Sequence, residues 1–123
     1  MDPINWMAVA VSSTLAAVVG LVWYGPLFAK GRSGAGTIVG AVVLQGVSAL
    51  MLGHALARIG AEKLAVKPWL YWMQAGGIAL AFIIPALWIS HARRGITWKD
   101  MAVDAGFWLV VYLLTGTVFF VLA

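Results

Sequence analysis

The polar side chains of interest within the long apolar stretches of this 123-residue chain are Gln45, Ser48, His54, Gln74, Asp104, Tyr112 and Thr115. Such groups are costly in apolar surroundings, so they are the first places to look for ion paths, proton relays or ligand contacts. Asp104 is the only carboxylate among them. On a helix, Asp104, Trp108, Tyr112 and Thr115 fall on one face and form a polar and aromatic stripe. His91 and Arg94 precede this stripe by a short turn, and Trp23 and Tyr24 end an earlier apolar run at the same level. The expected cluster is Asp104, His91, Arg94, Trp23, Tyr24, Trp108 and Tyr112. Within it Asp104 faces protein and hydrogen-bonds to His91, to an arginine of the third connection, or to an aromatic group near Trp23 and Tyr24. The competing expectation is a carboxylate near the headgroup boundary that reaches toward water with no fixed partner.

The two histidines invite comparison with metal, haem or chlorophyll ligands. They cannot share a site within one chain, because His54 lies about 27 Å along its helix from Gly36, whereas His91 follows the third apolar run on the opposite membrane face. His54 is also four residues before Arg58 on one helical face, which favours an interfacial role. The chain has no cysteine, so disulfides, thiolate metal sites and cysteine nucleophiles are excluded. No nucleotide-binding glycine loop, nucleophile elbow or zinc-binding helix motif is present. No catalytic residue, metal site or cofactor is therefore expected, and the chain is not read as an enzyme.

The elements that must position these residues follow from composition. Hydrophobic residues make up 63% of the chain and charged residues 10%, far from the proportions of a soluble domain. Apolar runs of bilayer length cover residues 4–24, 36–57, 68–90 and about 101–123, the last within a helix over 98–123, and each is near the ~20 residues that a crossing helix requires. They predict an all-α integral membrane protein, a four-transmembrane-helix bundle with short loops that forms a single domain over 1–123. A transmembrane barrel would need many short alternating segments instead. Gly25-Pro26 should stop the first helix, Pro68 suits the first position of the third, and Pro85 should bend the third near Ala81. Thr97 to Asp100 has the spacing of a helix cap. The first connection, with Gly31, Ser33, Gly34 and Gly36, looks flexible.

Aromatic and basic residues orient the bundle. Trp6, Trp69, Tyr71 and Trp72 mark one membrane face, and Trp23, Tyr24, Trp88 and Trp98 the other. Lys30, Arg32, Arg93, Arg94 and Lys99 flank the first and third connections against Arg58, Lys63 and Lys67 in the second, a bias of five to three. By the positive-inside rule both termini face away from the cytoplasm. The net charge of +4 belongs to these headgroup-level residues, so no nucleic-acid partner is expected. Small residues at four-residue spacing give each of the first three helices a packing face: Ser12, Ala16 and Gly20; Ala49, Gly53 and Ala57; Gly77, Ala81 and Pro85.

Asn5-Trp6 and then Trp23-Tyr24-Gly25-Pro26-Leu27-Phe28-Ala29-Lys30 resemble the start of the small bacterial membrane proteins grouped as domain of unknown function 1761. Ser90-His91, Arg93-Arg94, Thr97-Trp98-Lys99 and the run from Asp104 to Val110, with Gly116 later, resemble that family's last helical hairpin. The first connection is shorter than the family pattern. The resemblance implies four membrane helices in a bacterial inner membrane and brings no established activity. Three functional readings follow. The leading one is a noncatalytic membrane module in the lipid bilayer, which forms a homo-oligomer or serves as an accessory subunit of a larger membrane complex. The others are a small transporter or channel with a polar path near Asp104, and a membrane enzyme or cofactor carrier that uses His54 or His91.

Overall fold

The computed structural model describes residues 3–27 and 35–123. Its helices are α1 (Trp6–Val22), α2 (Ala35–Ile59), α3 (Ala61–Val66), α4 (Leu70–Ile78), α5 (Ile84–Arg93) and α6 (Trp98–Val121), and the described residues include no strand. A π-helical stretch, Trp23–Leu27, extends α1, and a second, Ala79–Ile83, joins α4 and α5 into one rod. Four helical spans are long and apolar enough to cross a bilayer: Trp6–Gly25, Gly36–Ile59, Leu70–Arg93 and Trp98–Val121. The longer ones reach about 36 Å at 1.5 Å per residue, enough for a hydrocarbon core of about 30 Å.

Proline acts differently here from the sequence expectation. Gly25-Pro26 does not stop the first helix, because the backbone widens into a π turn that continues to Leu27. Near Pro85 the backbone is irregular where the sequence places a bend: the second π stretch, Ala79–Ile83, includes Ala81 and ends two residues before the proline. A π turn is a known way for a helix to absorb a missing i→i−4 bond. Pro68 is not the first helical residue. It belongs to a tight turn in which Leu70 N–H donates to Lys67 O (3.1 Å) and Tyr71 N–H to Pro68 O (3.2 Å).

The second connection also holds a helix that the sequence reading missed. Gly60 turns the chain after α2 at φ 95°, and α3 then lays Leu64 into the core at 5% exposure. Gly31, Ser33 and Gly34 of the first connection lie outside the described residues.

The central helix is α6, with α1 on one side and the α4–α5 rod on the other, while α2 packs along α1 and touches α4. Near the termini, Ala8, Leu52, Leu56, Leu64, Tyr71, Ala75 and Phe119 form one apolar cluster. The Asn5 side chain caps α1 by accepting from Ala8 N–H (3.1 Å) and donates from Nδ2 to Leu122 O (3.0 Å), which ties the two chain ends together. At the other end Ala16, Phe107 and Val111 pack with Trp23, Tyr24 and Trp108.

Small residues govern these approaches, though not always those that spacing singled out. Ala16 and Ala49 are buried. A Cβ on Gly20 would lie 3.6 Å from the Phe107 ring, and one on Gly53 3.0 Å from Phe119. On the third span the contact face is a different one. Gly77 and Ala81 point out of the bundle, and nothing lies within 4 Å of a Cβ built on Gly77. Ala75, Gly76 and Ala79 face the neighbouring helices instead. Residues 75–79 carry small side chains on more than one side, so four-residue spacing alone could not choose the phase.

Candidate functional site

The end of α5 brings an imidazole to a carboxylate. Gly95 adopts φ 72°, the left-handed conformation that glycine tolerates best after a helix. Around it Arg94 and Ile96 N–H donate to His91 O (3.1 and 3.0 Å) and Gly95 N–H donates to Ala92 O (3.2 Å). The chain reverses and enters α6 under the Thr97 cap, whose hydroxyl accepts from Asp100 N–H at 3.4 Å. This tight return sets His91 beside Asp104, with Nε2 2.6 Å from Oδ2. The other carboxylate oxygen, Oδ1, accepts from the Tyr24 hydroxyl at 2.6 Å.

Trp23 and Tyr24 open the π stretch, and both reach α6. The Trp23 indole N–H donates to Val103 O at 3.1 Å. Gly106 leaves room for the indole, since a Cβ there would come within 3.2 Å of its ring. Phe107 fills the centre of the group, 5.2 Å between centroids from Tyr24 and 5.2 Å from Trp108, which lies 6.4 Å from Tyr112.

With Asp104 ionised, the carboxylate only accepts hydrogen bonds and the hydrogen shared with His91 sits on Nε2. Both bonds are then charge-assisted and strong. His91 itself is 8% exposed, and its second nitrogen, Nδ1, is buried without a partner. His91 and Asp104 could offer two metal ligands, but no third His, Asp or Glu joins them among the described residues. The arrangement is a clasp: a hydrogen-bonded chain of phenol, carboxylate and imidazole that joins three spans on the membrane face of the first and third connections.

Residues 7–120 match the profile of the family described as protein of unknown function (DUF1761). The chain belongs to this family. Comparisons with curated proteins and with solved structures return no match. In this DUF1761 protein the clasp joins the segment around Trp23-Tyr24 to the hairpin from Ser90 to Val110.

The remaining candidates are placed as follows. Trp108 and Tyr112 continue the Asp104 face of α6 one and two turns further into the membrane. Arg94 points outward and makes no ion pair with Asp104. His54 is half-buried on α2, near the opposite end of the bundle. Phe107, the hub of the aromatic group, was not singled out by the sequence reading, and nothing distinguishes it from the other apolar residues of α6. Ser12 was read only as a small residue, yet its hydroxyl is buried without a partner, as is the Nε2 of Gln45.

Proposed function

We propose that this DUF1761 protein is a noncatalytic module of a bacterial cytoplasmic membrane that works by association and pairs with a second copy of itself through the outer face of its third span. The observation behind this reading is the outward strip of Gly77, Ala81 and Pro85, which none of the described helices covers. In lipid, helices associate through close backbone approach, and small residues allow it.

The chain contains no cysteine, so single cysteines can report the contact in native membranes. Gly77→Cys and Ala81→Cys are expected to form disulfide-linked dimers under mild oxidation. Val43→Cys, on the 60%-exposed face of α2, is expected to stay monomeric. Equal cross-linking at all positions, or none at any, overturns self-pairing. A cross-link from Gly77 to a different membrane protein transfers the strip to an accessory-subunit role.

With five basic residues at the first and third connections, the proposed orientation places both termini outside the cytoplasm. In intact cells an impermeant thiol reagent should then label Ala61→Cys and leave Ser33→Cys unmodified, and the opposite pattern inverts the topology.

A further inference from the structure

Between α2 and α5, over the surface of α6, a lateral groove of about 410 Å³ opens from the bundle. It exists because α2 leans on α1 and α5 leans on α6, so the two outer helices part toward the first and third connections. Its lining is graded. Ser90, His91 and Arg94 stand at the outer end, and Phe82, Leu87 and Trp108 line the inner part. From Arg94 to Phe82 the groove runs roughly 18 Å along the helix, from headgroup level into the hydrocarbon.

No carboxylate lines this groove. Arg94 is exposed and has no acidic partner among the described residues, whereas both oxygens of the nearby Asp104 are already engaged. His91 adds the buried, unpartnered Nδ1. The outer end of the groove therefore gathers the Arg94 guanidinium and the Ser90 hydroxyl beside the His91 ring. A basic pocket between membrane helices at headgroup depth suits an anionic lipid head, and the apolar inner wall suits its chain.

We infer that the α2–α5 groove binds one anionic phospholipid, its phosphate at Arg94 and Ser90 and an acyl chain along Phe82, Leu87 and Trp108. The site is independent of self-pairing through Gly77 and Ala81.

The test measures thermal unfolding and native mass spectra of the full chain in detergent with phosphatidylglycerol, with phosphatidylcholine of the same chains, or with inorganic phosphate. Phosphatidylglycerol is expected to raise the melting temperature and to remain bound at one copy per chain, and the other two additives to do neither. Arg94→Gln should weaken lipid retention about fivefold, the effect of one basic residue at an anionic surface. Lys99→Gln, on the same membrane face but not lining the groove, should retain the lipid. Because each variant is compared with and without lipid, a change in basal stability does not obscure the result. Equal effects of the two lipids, equal losses in both variants, or stabilisation by inorganic phosphate alone would overturn the assignment.

Discussion

Asp104→Leu is expected to lower the unfolding free energy in detergent by about 2 kcal/mol or more, and Asp104→Asn by much less. Leucine strands the Tyr24 hydroxyl and the His91 Nε2 together, and each unsatisfied buried group costs about 1–3 kcal/mol. Asp104 keeps 27% side-chain exposure, so water relieves part of that cost and the lower end of the summed range applies. Asparagine can still accept from Tyr24 through its carbonyl oxygen and can donate to His91 if the imidazole takes the other tautomer. Tyr24→Phe removes one donor and leaves the carboxylate bound to His91, so it should cost about 1 kcal/mol. In the double variant with Asp104→Leu, the phenylalanine should recover part of the loss, because it removes the hydroxyl that leucine strands. Equal stability of the Asn and Leu variants would mean that the clasp contributes nothing to the fold.

The four spans were legible because hydropathy records them directly: about 20 apolar residues between charged connections leave a chain little choice in a bilayer. The capping residue Thr97 was legible for the same local reason. Features that depend on how the backbone yields to a particular residue were not. Pro26 and Pro85 mark irregularity in sequence, but whether a helix stops, bends or widens is decided by the neighbours that hold both sides of the proline. The short helix α3 is six residues long, too short to be stable alone, and it rests on the burial of Leu64 against residues distant in sequence.

Within the site, Asp104 was conspicuous as a lone carboxylate in an apolar run, and His91 and Tyr24 were within reach by helix arithmetic. The choice among an arginine, a histidine and an aromatic partner was not available from spacing. It is settled by the left-handed Gly95 that folds His91 back over α6 and by the packing of the first span on α6, which sets Tyr24 against Asp104. Arg94, three residues beyond His91 at the cap of α5, is turned outward by the same reversal that turns His91 inward. The small-residue strips show a related ambiguity: Gly53 and Gly77 look alike in sequence, but one lies against the Phe119 ring and the other faces out of the bundle.

The most damaging glycine substitution should be on the central helix. A Cβ at Gly116 would stand 3.0 Å from the carbonyl oxygen of Tyr71 and 3.1 Å from Ala75 Cβ. The obstacle at Gly116 is main chain and a short, rigid side chain, so α4 and α6 can admit a larger residue only by moving apart. At Gly53 the nearest atoms belong to the end of the Phe119 ring and to Ile4 Cγ2, which can shift by small rotations. Overpacking a well-filled contact costs about 1–3 kcal/mol, and separation of α4 from α6 would also loosen Tyr71 and the bond from Trp72 Nε1 to Thr117 Oγ1, 2.9 Å long. Gly116→Val is therefore expected to fall at or beyond the top of that range, with little folded protein recovered from membranes. Gly40→Val provides the control, since nothing lies within 4 Å of a Cβ there and the helix-propensity change is the same. Thermal unfolding and the monodisperse yield after extraction should rank Gly40→Val near the parent, Gly53→Val below it and Gly116→Val last. If Gly116→Val matched Gly40→Val, the α4–α6 approach would not be the close backbone contact on which the order of the spans depends.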